Sequence, residues 1–219
     1  MKRRFFAVAV GFMFATLGVV ASDAPAAPTR CTGEIQGVTI TGNLLAGPGC
    51  YLNGGVIVNG NVVVRKGGSL DTFDSAINGD VISHGATSVY IDRYTTVHGN
   101  VEIVGSTEAA GVFHSNIVGN VLVKKTSGYF WVSENGIAGD LKVSKNTGDG
   151  SLSPDGDFFF NQIGGNFHIS NNHGVIELQR NGITGILDCH NNHPRVTVGD
   201  GNTAGTAKGE CAGVPSTAG

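Results

Sequence analysis

His168 and Asp188 stand 20 residues apart, and Ser170 and His190 repeat that interval. If a 20-residue period stacks the chain, the four side chains meet on one outward face. An Asp–His pair of this kind orients a general base or holds a metal ion, and an ordinary exposed cross-strand pair has the same appearance. Glu102 falls in the same column as Asp188, but four periods away. The two carboxylates therefore cannot share a calcium ion or flank one glycosidic bond, which needs a separation of about 5 to 10 Å. A second acidic group, Asp149, Asp155 and Asp157, lies in a glycine-containing stretch that is a candidate calcium loop. Its spacing matches neither an EF-hand nor a Gly-Gly-x-Gly-x-Asp repeat. His173 and His193 are also 20 residues apart and stack at a corner, as turn caps or further ligands. Phe73, Phe113, Trp131 and Phe159, with Arg93 among them, are expected to face outward on another wall. Exposed rings on a flat sheet stack on sugars or pack against a protein partner.

The element that must position all of these is a repeat. Gly42-Asn43-Leu44, Gly60-Asn61-Val62, Gly79-Asp80-Val81, Gly99-Asn100-Val101, Gly119-Asn120-Val121, Gly139-Asp140-Leu141 and Gly165-Asn166-Phe167 are copies of one phrase. Gly185-Ile186-Leu187 is a weaker copy. Successive glycines are separated by 18, 19, 20, 20, 20, 26 and 20 residues. A fixed period near 20 denotes a solenoid, whose repeats bury their apolar faces only by stacking.

Alignment on the glycine shows which residues line the interior. Two before it stand Ile40, Val58, Ile77, Val97, Ile117, Ile137, Ile163 and Ile183. Two after it stand Leu44, Val62, Val81, Val101, Val121, Leu141, Phe167 and Leu187, and a mostly apolar set follows two residues later. Val112, Val132, Phe158 and Leu178, seven before the next glycine, form a third inward wall. Apolar alternation with period 2 is a half-buried strand. Three short strands per coil, parallel from coil to coil, make an all-β, three-sided parallel β-helix, right-handed by the crossover rule. Eight to nine coils at about 4.8 Å each give a rod roughly 40 Å long. Helical repeats are excluded by the glycine content, 35 of 219 residues, and by the absence of sustained i, i+3, i+4, i+7 spacing.

Ser75, Thr95, Ser115, Asn135, Asn161 and Asn181, four before the glycine, and Asn146, Asn172 and Asn192, seven after it, read as stacked corner ladders. Asparagine suits the left-handed turn, and its amide bonds to the copies above and below. The 26-residue step carries six extra residues, placed around 149–157.

Lys2-Arg3-Arg4, the apolar run Phe5 to Val20 and small residues at Ala21 or Ala27 predict a signal peptide over 1–27, cleaved after one of those alanines. A single β-helix domain over 28–211 and a flexible tail over 212–219 follow. Without 1–27 the net charge is −5, since Lys2, Arg3, Arg4 and Asp23 are removed. A mildly acidic exported chain is a poor nucleic-acid binder. No membrane span is expected after cleavage, and no cofactor is implied.

Four cysteines in an exported chain predict disulfides. Cys31 to Cys50 is 19 residues and Cys189 to Cys211 is 22, each about one coil, so the pairs Cys31–Cys50 and Cys189–Cys211 staple the two ends. Ends capped in this way predict a monomer.

The Gly-Asn-Val phrases, the asparagine corners and the ending Asp188-Cys189-His190-Asn191-Asn192 … Gly201-Asn202-Thr203-Ala204-Gly205 … Cys211 resemble small exported parallel β-helix proteins of actinobacterial type. The likeness runs from about Cys31 to Cys211. It implies a right-handed β-helix and no particular activity. The bactofilin type of β-helix polymer is more distantly similar, but it is cytoplasmic. Two functions are consistent with these residues. One is a secreted, non-catalytic module binding a polysaccharide or a cell-surface protein through the aromatic wall and the inserted loop. The other is a carbohydrate-active enzyme, such as a polysaccharide lyase, centred on His168 and Asp188. Ice binding requires a flat threonine ladder, and no outward column supplies one.

Overall fold

The computed structural model describes residues 27–152 and 161–217. Among them every regular element is a strand, and the strands stack in parallel as a β-solenoid of about 8 turns. Each full coil has three walls. The first is made of two- and three-residue strands ending in the isoleucine or valine before the glycine, such as Thr96–Val97 and Asn116–Ile117. The second follows the glycine, as in Val101–Val104 and Val121–Lys124. The third is exemplified by Ala109–Phe113 and Tyr129–Ser133. The first two walls form one 17-stranded sheet, because Asn181–His190 runs through both; the third is a 9-stranded sheet of its own.

The register follows the repeat. Val81 pairs with Val101, Val101 with Val121, Val121 with Leu141, Leu141 with Phe167 and Phe167 with Leu187. All six side chains are buried, as are the isoleucines and valines two before each glycine. One continuous apolar core fills the rod, and no coil closes a core alone.

The glycine of each phrase is required by close approach. A Cβ on Gly119 would lie 2.5 Å from the Gly99 carbonyl oxygen and 2.7 Å from Asn100 Oδ1. The space is taken by an outer ladder, in which each residue after the glycine accepts the amide of its copy one coil on. Asn120 N–H donates to Asn100 Oδ1 at 2.9 Å and Asp140 N–H donates to Asn120 Oδ1 at 2.8 Å.

The two inner ladders are present, with a correction to their turn chemistry. The ladder residues are buried and face inward; among the described residues the left-handed backbone falls on the one before the ladder residue. Glu134 (φ 59°) precedes Asn135, Lys145 (59°) precedes Asn146, and Asn171 (56°) precedes Asn172. Asn161 shows the pattern: its Nδ2 donates to the Val132 carbonyl and to Asn181 Oδ1, both at 2.8 Å, while its Oδ1 accepts the Asn135 amide at 3.1 Å.

The extra residues of the long coil sit later than expected. Gly150 pairs with Phe130 at the usual interval of 20, and Leu152, rather than Phe158, pairs with Leu178 on the inner face of the third wall. Counting back from the next glycine misplaced the wall because the six additional residues fall between Leu152 and Asn161. Phe158, Phe159, Asp155 and Asp157 lie outside the described residues.

Cys31–Cys50 and Cys189–Cys211 are at disulfide distance, with Cα separations of 5.2 and 5.5 Å. They do not follow a ladder rung: Cys31 pairs in register with Ala46, and Cys189 with Gly209. Each bridge instead spans a corner at one end of the rod, joining the last inward residue of one strand to the start of the next segment. Residues 212–217, expected to trail away, lie on the last coil: Val214 is buried, Ala204 N–H donates to the Pro215 carbonyl and Thr217 N–H to the Ala204 carbonyl. Among the described residues no helix is long and apolar enough to cross a membrane.

Candidate binding surfaces

The third wall carries the densest cluster of exposed rings. Its strands alternate, so Phe130 and Val132 point into the core while Tyr129 and Trp131 point out. One outward column runs Tyr51, Asp71, Tyr90, Gly111, Trp131, Ser151. Gly111 interrupts the ring series, and its missing side chain lets Tyr90 and Trp131 meet over it with centroids 5.3 Å apart. A Cβ at position 111 would stand 2.9 to 3.0 Å from both rings. Phe113 and Tyr129 flank Trp131 at 5.7 and 5.4 Å, tilted by about 40°. The result is one aromatic ridge spanning three coils.

Polar groups border the ridge at its lower end. Tyr51, Ser69, Asp71, Ser88 and Tyr90 line a shallow groove of about 340 Å³. Asp71 is partly buried, and this desolvation raises its pKa. Asp92 follows Ile91, which pairs with Thr72 and Val112, the residues before Phe73 and Phe113. Its pKa is raised to about 6, chiefly by burial; the Arg93 amide and guanidinium oppose the rise and the Asp71 charge adds to it.

Phe73, Phe113 and Trp131 are half-buried on outward columns of this wall. Arg93 is instead at the corner, with φ 39° and its Nε 3.4 Å from Asp92 Oδ2. Coil 79–99 has one extra residue there, and the adjacent Tyr94 is left 77% exposed. Tyr90 and Tyr129 escaped the sequence reading. Read forward from the preceding strand, Tyr90, Gly111 and Trp131 recur at about one coil each, and that was the available signal.

On the second wall the structure brings His168, Asp188 and His190 together. His168 Nδ1 is 3.8 Å from Asp188 Oδ2, and His190 Nδ1 is 3.5 Å from Asp188 Oδ1. One carboxylate thus faces both rings. Glu102 pairs instead with His84, 3.1 Å away. Among the described residues no three His, Cys, Asp or Glu side chains converge to hold a metal ion. Asp149 is engaged in the ladder: its Oδ1 accepts the Val175 amide at 2.8 Å and its carbonyl accepts the Phe130 amide. His173 and His193 face each other at the corner, with ring centroids 6.2 Å apart. Comparison with protein-family models, with curated proteins and with solved structures finds no match for this chain.

Proposed function

We propose that the chain is an exported, non-catalytic carbohydrate-binding β-solenoid, with the ridge of Tyr90, Phe113, Tyr129 and Trp131 as its sugar platform. The observation that carries this is the closure of Tyr90 and Trp131 over Gly111. A side-chain-free position lets two tilted rings from non-adjacent coils meet as one continuous apolar strip. Sugar rings present C–H faces that stack on such a strip and hydroxyls that need acceptors and donors at its edge. Asp71, Ser69 and Ser88 supply them in the adjoining groove. A protein partner would be served equally by the rings but would not need that polar border. Export is supported by the charged and apolar leader-like segment and by four cysteines in two close pairs.

A glycan array followed by calorimetry tests the reading. Neutral glycans should bind, and Trp131→Ala should weaken them by about tenfold or more, the loss of one stacking ring. An empty array, or unchanged binding by the variant, overturns it. A catalytic reading has one observation in its favour, the Asp71 and Asp92 carboxylates beside the ridge with Asp92 holding its proton unusually high. It requires new reducing ends from a bound glycan and their loss in Asp92→Asn.

A further inference from the structure

The second wall bears a feature of opposite charge to the chain as a whole. Lys142, His168, Asp188 and Lys208 follow one another up one outward column, and Lys124, Ser144, Ser170 and His190 up the next. Lys124, Lys142, Lys145, His168 and His190 surround a recess of about 370 Å³. No carboxylate lines it. Asp188, the nearest acid on the wall, sits beside the two imidazoles and faces their Nδ1 atoms. The Ser144 hydroxyl, also in the lining, is buried without a hydrogen-bond partner. A buried polar atom left unpaired costs roughly 1 to 3 kcal/mol, and an anion seated in the recess would give the Ser144 hydroxyl an acceptor. In a chain whose net charge without 1–27 is −5, three lysines on adjoining positions of two successive coils form a local concentration of charge against the overall balance.

We infer that this recess is an anion-binding site for an acidic polysaccharide, one that carries carboxylate or sulfate groups along its length. The lysines occupy two successive coils and His168 and His190 the next two, and the coil rise is about 4.8 Å. A row of that kind suits a polymer with a repeating anion better than a single small ion. Nucleic acid is the weaker match, because no Phe, Tyr or Trp lines the recess to stack on bases. The site lies on a different wall from the aromatic ridge and does not depend on it. Neutral-glycan binding at the ridge is read separately, so either result stands without the other.

The test uses the purified chain with polygalacturonate and dextran sulfate as probes, neutral dextran as a blank, and a DNA duplex and anionic phospholipid vesicles as competing classes. Titrations run at 50 and 200 mM salt. Polygalacturonate or dextran sulfate should bind at low salt and weaken by about tenfold or more at high salt, as counterion release requires. Lys142→Gln with Lys145→Gln should reduce binding by about tenfold or more, whereas Arg30→Gln with Arg195→Gln, the same charge removed elsewhere, should stay within about twofold. Ser144→Ala should weaken binding without loss of fold, read by circular dichroism. The inference is overturned if neither acidic polymer binds, if both double variants lose affinity alike, or if DNA or vesicles bind as tightly as the polysaccharide and lose affinity alike in the lysine double variant.

Discussion

Glu210 ends an asparagine ladder by taking both donors of Asn192: the main-chain amide reaches Oε1 at 2.9 Å and Nδ2 reaches Oε2 at 3.0 Å. In the interior of the same ladder an asparagine one coil on does this with a single Oδ1, as Asn192 does for Asn172. At the last coil no further asparagine exists, and a carboxylate next to Cys211 replaces it. These donors, the Val196 amide and the Arg195 charge outweigh the effect of burial and hold the Glu210 pKa below the ordinary glutamate value.

Glu210→Ala should therefore expose the Asn192 amides and loosen the last coil, by about 1 to 2 kcal/mol for two hydrogen bonds to a charged acceptor. Hydrogen exchange at Asn192 and Val196 reads this directly. The sign with pH follows from the lowered pKa. The contribution is complete above the ordinary glutamate value near 4.3 and is lost as pH falls through the lower folded value. The gap between wild type and Glu210→Ala should narrow below about pH 4. An unchanged gap at pH 3 would separate the carboxylate from the effect.

The buried and outer ladders should respond very differently to the same truncation. Asn161→Ala removes two donors and an acceptor from a fully buried site and leaves the Asn135 amide without a partner. About 3 kcal/mol or more should be lost in urea unfolding. Asn61→Ala takes one acceptor from the Asp80 amide on the partly exposed corner. Water can replace it, and the loss should stay under about 1 kcal/mol. Equal losses at both positions would show that the inner ladder contributes no more than an ordinary turn.

Two kinds of glycine are distinguishable by substitution. Gly119 has no left-handed backbone but has the Gly99 carbonyl oxygen 2.5 Å from where a Cβ would go. Gly105 has φ 73° and nothing closer than 3.7 Å. It occupies the corner position that Lys125, Lys145, Asn171 and Asn191 fill in later coils at φ 56° to 59°. Gly105→Asn should change stability by under about 0.5 kcal/mol, since asparagine tolerates the left-handed region. Gly119→Ala should destabilise by about 2 kcal/mol or more, because the coils must separate to admit the methyl group. Thermal melts of both variants decide the matter, and a reversed order would sink the explanation.

The core columns were legible because a solenoid repeats one environment many times. Ile77, Val97 and Ile117 sit at one offset from the glycine, and the stack imposes the same burial on each. Legibility failed where the count slips. The additional residue at Arg93–Tyr94 and the six after Leu152 break the spacing when it is read backward from the next glycine. Counting back therefore lands on Phe158 where Leu152 stands, and places Arg93 among the rings although it sits at the corner. Tyr90 and Tyr129 went unnoticed because the period carries no information about outward positions, which nothing buries alike from coil to coil. The cysteine pairs were correct although the geometry differs: a separation near one coil holds for a corner-spanning bridge as well as for a rung.

Asp92 provides a test of the acidic face that needs no ligand. Its folded pKa near 6 exceeds the ordinary aspartate value of 3.8, mainly through burial. The folded chain thus binds the proton more tightly than the unfolded one. As pH rises from about 4 to 6 the folded state must give up a proton that the unfolded state has already lost, so stability falls over this window and the penalty is complete above it. Asp92→Asn removes the charge while keeping the shape. At pH 7 it should stabilise the chain, on the order of 1 kcal/mol once partial exposure screens the effect, and at pH 4 it should be nearly neutral. Chemical unfolding of the two proteins at pH 4, 5, 6 and 7 reads the difference. A flat difference across that range, or a destabilised variant at pH 7, would mean that the Arg93 guanidinium 3.4 Å away compensates the buried charge in full.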